Sequence, residues 1–392
     1  MQLLEQARAI EEDMIEWRRD FHAHPELGFE ETRTAQIVAD ELRKLGLEPQ
    51  TGVGRTGVVV SIGSGSPVIG IRGDMDALPI HEAVDAPYKS TIPGKMHACG
   101  HDAHTAILLG VAKLLTAMPE SERPPGEIRL LFQPSEERWD TEIKSGAVRM
   151  IEDGALDGVT ATLALHVDSM RPVGEIAITP EYAAAAVDTF FATIKGVGTH
   201  GAMPHTGIDP IFISAQVINA IQGIRSRRTD PLGASVITIG AINGGDANNV
   251  IPHEVKLKGT IRTFDADLRD QIHTELDAAL GVARALGGDY DLLIERGYPP
   301  LYNDPAVVDL VREVAATYVG AEKVYEIPPM MGAEDFAYMT QAAPGTMFIL
   351  GAKLDDVHRP HHSPIFDISE EPFKLGAAIM VDAALRLLKA KA

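Results

Sequence analysis

Apolar positions recur at helical spacing over residues 3–19 and 32–45, and Gly46 closes the second stretch, so both predict amphipathic helices. The link between them, His22-Ala23-His24-Pro25-Glu26-Leu27-Gly28-Phe29, reads as irregular, and its two histidines are expected to hold a loop against the core. Residues 58–62 and 68–72 are short apolar runs of strand type, and the intervening Gly63-Ser64-Gly65-Ser66-Pro67 predicts that they pair as a hairpin. An apolar helix is expected over 103–118, with Asp102 as its N-cap and Pro119 closing it. Strands are expected at 127–132 and 159–165, the second delivering His166 at its end. From residue 187 the pattern changes. Strands at 187–195, 235–241, 255–264 and 289–295, with helices at 210–223 and 267–286, give the order β-α-β-β-α-β of a ferredoxin-like unit. A helix from 305, a strand at 346–350 and a helix at 372–389 then return to the earlier α/β texture. The expected organisation is an α/β domain in two parts, 1–184 and 298–392, with the ferredoxin-like domain 185–297 inserted between them.

Composition narrows the function classes. At 392 residues and 45% hydrophobic content the chain is long and apolar enough for two or three packed domains. A formal net charge of −21 argues against nucleic acid and anionic membrane as partners, which need a basic footprint. One cysteine excludes an internal disulfide framework. The first residues lack the basic-then-apolar order of a signal peptide, and no apolar run reaches the length of a membrane span, so a cytoplasmic location is expected.

Candidate chemistry collects at predicted strand ends, where open α/β sheets place their sites. Gly73-Asp74-Met75-Asp76 sets two carboxylates one residue apart directly after a strand. Met96-His97-Ala98-Cys99-Gly100-His101-Asp102-Ala103-His104 puts the single cysteine among three histidines, and Cys99 and His101 flank a glycine, so one tight turn suffices for both to reach a metal ion. The strand ending at Phe132 runs into Gln133-Pro134-Ser135-Glu136-Glu137, and a second histidine cluster, His358-Arg359-Pro360-His361-His362, lies far along the chain. The inventory is Cys99, His101, Glu136 or Glu137, His166, and His361 or His362. That is too many ligands for one tetrahedral ion with an open position, and it suits two ions sharing a water. In an extended segment adjacent side chains diverge, so one carboxylate of the Glu136-Glu137 pair is able to bind metal while the other acts as general base.

Taken together, Gly73-Asp74-Met75-Asp76-Ala77-Leu78-Pro79, the His97 to His104 stretch, Gln133-Pro134-Ser135-Glu136-Glu137, Asn249-Val250-Ile251-Pro252 and Gly332-Ala333-Glu334-Asp335-Phe336 resemble the M20 metallopeptidase superfamily. Within it they are most similar to the amidohydrolase branch of aminoacylases, hippurate hydrolases and plant auxin-conjugate hydrolases, in the same order over nearly the whole chain. The resemblance implies a dinuclear-metal α/β hydrolase whose inserted ferredoxin-like domain serves as lid and dimerisation domain, giving a homodimer or homotetramer. It implies Cys99, His101, Glu137, His166 and His362 as ligands of two divalent ions (zinc, manganese, nickel or cobalt) and Glu136 as general base. Asp76 matches the position that orients a ligand from behind, and Asp74 stands where other branches carry a metal-binding histidine. In the inserted domain His200 matches a residue that stabilises the oxyanion, with His205 second, and Asn249 and Arg262 match positions that grip substrate, Arg262 by pairing with its carboxylate. His97 and His104 are left as supporting residues. One departure is that Arg138-Trp139-Asp140-Thr141-Glu142-Ile143-Lys144-Ser145 replaces a run of glycines after the glutamate pair, making the loop beside the site bulkier and more charged.

The expected reaction is hydrolysis of N-acyl-L-amino acids, or similar conjugates, to a carboxylic acid and a free amino acid. A carboxypeptidase or dipeptidase acting on short peptides is the alternative within the enzymes, and a catalytically silent metal- or amino-acid-binding protein is the alternative outside them.

Overall fold

The computed structural model describes residues 2–391. The chain divides into two compact units: residues up to Ala183, Tyr302–Pro328 and the chain from Asp335 onward form one, and Ala184–Leu301 with Pro329–Glu334 form the other.

The first unit is built on an eight-stranded sheet, in the order Gln50–Val53, Gly57–Ser64, Gly126–Gln133, Val68–Asp74, Val159–Asp168, Gly345–Gly351, Ile176–Ile178, Val324–Glu326. Its centre is parallel: Val68–Asp74 runs alongside both Gly126–Gln133 and Val159–Asp168, and Gly345–Gly351 alongside Val159–Asp168. Every residue of Val68–Asp74 is buried, as both faces of a central parallel strand must be. The hairpin expected between Gly57–Ser64 and Val68–Asp74 is not formed. Gly126–Gln133 lies between them, antiparallel to the first and parallel to the second. The link passes over the start of that strand, where the Pro67 carbonyl accepts from Glu127 N–H at 2.9 Å. The apolar core of Gly126–Gln133 gains two buried neighbours this way, whereas a hairpin would have left it at an edge.

The helix His101–Ala117 is apolar nearly all round and buried over most of its length, so it is packed inside the unit and not laid on its surface. The expected single helix over 3–19 is two, Gln2–Ala9 and Glu11–Ala23. The second extends far enough to include His22, which belongs to a helix and not to the link that follows. Arg18 and His22, four residues apart on its buried face, account for the extension, because both reach Asp102. Asp102 in turn is not an N-cap. Gly100 occupies that position, and Asp102 sits in the first turn with its carboxylate in that buried cluster. No described helix is long and apolar enough to cross a membrane.

The second unit is a four-stranded antiparallel sheet in the order Ser235–Asn243, Glu254–Thr263, Ala186–Lys195, Asp289–Arg296. In chain order these are strands two, three, one and four, with helices Pro210–Arg227 and Ala266–Leu280 as the two connections, which is the ferredoxin-like arrangement. Alternation explains it: in Glu254–Thr263 the side chains of Val255, Leu257 and Ile261 pack into the core with Ile213, Val217, Ile221, Ile272 and Leu276 of the helices, while Lys256 and Lys258 face outward. The expected helix over 267–286 breaks at Gly281 into Ala266–Leu280 and Val282–Ala285.

Candidate metal centre and active site

Strand ends of the first unit bring the sequence clusters together. Gly100 has φ 92°, and a Cβ there would lie 2.3 Å from Val167 Cγ2, so the turn between Cys99 and His101 tolerates only glycine. That turn presents Cys99 beside His166 and His361, with Sγ 3.5 Å from His166 Nε2 and 3.7 Å from His361 Nδ1. Donor atoms of Cys99, Glu137 and His362 lie within 4.8 Å of one another, as do those of His101, Glu136 and Glu137. All five residues expected as ligands, and the expected base, thus share one neighbourhood. His361, left open beside His362 by the residues alone, also touches it. His362 reaches it with φ 59°, an uncommon conformation for a residue with a Cβ, held by a hydrogen bond from its N–H to the Ala98 carbonyl at 2.8 Å.

Hydrogen bonds decide which histidine nitrogens carry lone pairs. His101 Nδ1 is 2.9 Å from the Asp76 carbonyl, which only accepts, so Nδ1 holds a proton and Nε2 is the nitrogen that would ligate, although, against the cost of burial, Asp74 and Cys99 raise this imidazole well above its usual range. His166 Nδ1 is likewise 2.8 Å from the Val167 carbonyl, leaving its Nε2 toward Cys99. His104 is the opposite case: its Nε2 accepts from Val167 N–H at 2.9 Å and its Nδ1 donates to Asp74 at 2.6 Å, so both nitrogens are spent. This is the supporting role the sequence left to it. His97 is buried, with neither ring nitrogen hydrogen-bonded, and burial pushes it down to about 4, leaving a neutral ring.

Charge states follow from burial and from neighbouring groups. His166 is pushed down to about 4 by desolvation, and His361 to about 2 by desolvation together with the neighbouring imidazoles of His166 and His104. Both are therefore neutral, the form that ligates metal. Burial and the Glu137 carboxylate raise the Cys99 thiol. His362 Nε2 lies 3.0 Å from Glu137 Oε1, and Cys99 and Glu137 together raise its imidazole to about 10. The neighbourhood is thus lined with metal-binding donor types: the imidazoles of His101, His166 and His362, the Cys99 sulfur, and the Glu136 and Glu137 carboxylates. Protons on His101, His362 and Cys99 are what a divalent ion would displace, and this mixture of S, N and O donors fits an ion of the zinc type.

Asp76 sits behind this cluster. One carboxylate oxygen is 3.1 Å from His101 Nδ1 and the other accepts from Glu137 N–H at 2.9 Å. Asp74 lies close to the same histidines, one of its oxygens 3.6 Å from His101 Nε2, and donor atoms of Asp74, His101 and His104 lie within 4.8 Å of one another. Against the cost of burial, Arg72, His101 and His104 hold its carboxyl well below the usual range, and it pairs with Arg72. Arg72 also donates to Gln133 at 2.9 Å and Asp335 at 3.0 Å, and the Asp335 N–H faces Glu136 Oε1 at 3.4 Å. Sequence reading missed Arg72 and Asp335 as parts of the site, although a lone arginine in a strand otherwise buried on both faces was a signal for the first. The bulky loop that replaces the glycine run is organised by Asp140, which accepts from Arg149 Nε at 2.7 Å and from the Glu142 N–H at 2.8 Å, so much of its charge is consumed internally.

The remaining predicted residues lie in the second unit. His200 belongs to the short strand Thr199–His200, paired with Val250–Ile251 so that His200 opposes Val250, and the Gly201 N–H donates to the Asn249 carbonyl at 2.7 Å. One two-stranded ribbon therefore brings His200 and Asn249 together, while His205 follows in the exposed turn Pro204–Thr206. Arg262 stands on Glu254–Thr263 opposite Val187 and Val236, partly buried, and makes no ion pair among the described residues.

Sulfur, imidazole and carboxylate donors converging at the strand ends of an α/β sheet define a metal-dependent hydrolase. Comparison with known proteins agrees. The model of Peptidase family M20/M25/M40 matches residues 70–386. Thermostable carboxypeptidase 1 of Saccharolobus solfataricus is 40% identical over 380 residues, covering 94% of each chain. The N-acetyl-L-cysteine deacetylase of Bacillus subtilis is 40% identical over 382 residues, covering 97% of this chain and 89% of its own. A Bacillus subtilis crystal structure described as a dinuclear metal binding peptidase from the M20 family superposes with a TM-score of 0.83 at 32% identity, covering 97% of this chain and 99% of that one. The chain belongs to peptidase family M20/M25/M40.

Proposed function

We propose that the protein hydrolyses the amide bond of N-acyl-L-amino acids, with Cys99, His101, Glu137, His166 and His362 holding two divalent ions and Glu136 as general base. The observation that carries this reading is the convergence of those five donors with a sixth group, Glu136, that the ligand count does not require. Ions held there supply Lewis acidity, lowering the pKa of water and polarising the amide carbonyl. Glu136, its Oε1 facing the Asp335 N–H, takes the proton from the attacking water and returns it to the leaving amine. Asp76 keeps His101 in the tautomer that offers Nε2. His200 and Asn249, side by side on their ribbon, are the oxyanion donor and the substrate grip, and Arg262, a cation without an ion-pair partner among the described residues, takes the substrate carboxylate. The products are a carboxylic acid and a free amino acid.

The naming of one relative as an N-acetyl-L-cysteine deacetylase supports the acyl-amino-acid reading, and that of another as a carboxypeptidase supports the alternative of short peptides. Metal analysis of the purified protein, with hydrolysis of N-acetyl-amino acids, N-benzoyl-amino acids and dipeptides compared at equal concentration, decides between them. Faster turnover of dipeptides than of every acyl-amino acid would reverse the assignment. Bound metal with no hydrolysis anywhere in the panel would leave a binding protein.

A further inference from the structure

The glutamate pair leaves its strand through a residue that is itself in an uncommon conformation. Ser135 has φ 45°, the left-handed region that a side chain with a Cβ disfavours. Such a turn persists only where its surroundings hold it, and the holding group comes from 104 residues earlier in the chain. Ser135 N–H donates to Glu31 Oε1 at 2.8 Å, and the other Glu31 oxygen is 2.6 Å from the Thr56 hydroxyl. The same N-terminal segment closes on the turn at a second point, because a Cβ on Gly28 would lie 2.3 Å from Ser135 Oγ and 2.7 Å from Arg138 Cγ.

Glu31 occupies the N-cap position of the helix Thr32–Lys44, yet its side chain makes no capping hydrogen bond. Glu26 caps that helix instead, accepting from the N–H groups of Arg33 at 3.0 Å and Thr34 at 2.8 Å. The Glu31 carboxyl is fully buried, is not needed by its own helix and has no basic side chain bonded to it among the described residues, so stability of the helix does not account for it. Desolvation, reinforced by the Asp76 carboxylate, pushes it up to about 8, so the group is largely a neutral acid at neutral pH.

We infer that Glu31 is a positioning residue for the hydrolytic reaction, its carboxyl holding the left-handed turn at Ser135 from which Glu136 and Glu137 project. The inference rests on the reading of Glu136 and Glu137 as base and ligand. Glutamine keeps an acceptor for Ser135 N–H and offers a donor to Thr56, alanine keeps neither, and aspartate falls short by one methylene.

The test compares wild type with Glu31→Ala, Glu31→Gln and Glu31→Asp in the metal-loaded enzyme, reading amide exchange in peptides covering residues 133–137 together with kcat and KM. Glu31→Ala is expected to speed exchange at Ser135 by about tenfold. Its kcat is expected to fall by roughly 10–100-fold while KM stays within about twofold. Glu31→Gln is expected to restore both to within about threefold of wild type, since it rebuilds the same hydrogen bonds. Unchanged exchange and kcat in Glu31→Ala would overturn the inference, and so would a Glu31→Gln enzyme as impaired as Glu31→Ala. Should the alanine variant not fold, Glu31→Asp decides, because wild-type values there would show that the hold on Ser135 is dispensable. If wild type hydrolyses no amide, the functional reading fails, while the exchange data still judge the turn.

Discussion

Asp76 grips His101 twice, through its backbone carbonyl at 2.9 Å and its carboxylate at 3.1 Å, both on Nδ1. The imidazole is thereby fixed in one tautomer and one orientation. Asp76→Ala leaves the carbonyl contact but removes the carboxylate contact and the acceptor for Glu137 N–H. Metal affinity should fall by roughly 10–100-fold, measured by competition with a chromophoric chelator, and Asp76→Asn should fall less. Equal affinities in wild type and Asp76→Ala would remove Asp76 from the site.

Glu136 is expected to be separable from metal binding. Glu136→Gln should keep its full complement of metal and lose roughly 10²–10⁴-fold in kcat, whereas Cys99→Ala or His166→Ala should lose metal as well. Near-normal turnover in the glutamine variant would assign the base elsewhere.

Arg18 is fully buried and shared among carboxylates, donating to Asp102 at 2.9 Å, Asp367 at 3.1 Å and Glu370 at 3.2 Å, while His22 joins the same Asp102 at 2.7 Å. Against the cost of burial, Arg18 and His22 hold the Asp102 carboxyl far below the usual range. Arg18→Ala would leave those acids buried without their cation, and urea unfolding should show a loss of about 3–5 kcal/mol. A loss under about 1 kcal/mol would mean that water enters the cluster and solvates it.

The second unit should carry its own acid sensitivity through Asp188, which accepts from Arg269 Nε at 2.9 Å and pairs with His273 at 2.6 Å. Against desolvation, these partners lower its carboxyl from 3.8 to about 2. A lowered folded-state pKa stabilises above the unfolded value and loses that contribution as pH falls through the folded one. The stability difference between wild type and Asp188→Asn should therefore be present at about pH 5 and shrink toward about pH 2, followed by hydrogen exchange in the strand Ala186–Lys195. A difference that does not change with pH would show that the carboxylate charge is not what the pairing stabilises.

The sequence by itself determined what is local. The strands and helices of the inserted unit and their β-α-β-β-α-β order followed from period alone, and the alternation in Glu254–Thr263 buries Val255, Leu257 and Ile261 and exposes Lys256 and Lys258. The donor types were equally plain, since thiolate, imidazole and carboxylate bind metal wherever they are brought together, and their ordered motifs pointed to one family. What only the tertiary structure decided is what depends on partners far away in the chain. The strand Gly126–Gln133 separates two strands that a short glycine-rich link appeared to join, because burying both faces of a central strand outweighs proximity in sequence. Asp102 read as a helix cap and is instead the counter-ion of Arg18, 84 residues away. His104 and His166 look alike in sequence, and they differ because the Val167 N–H occupies the Nε2 of one while the Val167 carbonyl occupies only the Nδ1 of the other. A residue's type states what it is able to bind, but which of its atoms remain available is set by hydrogen bonds that close only when the chain has folded.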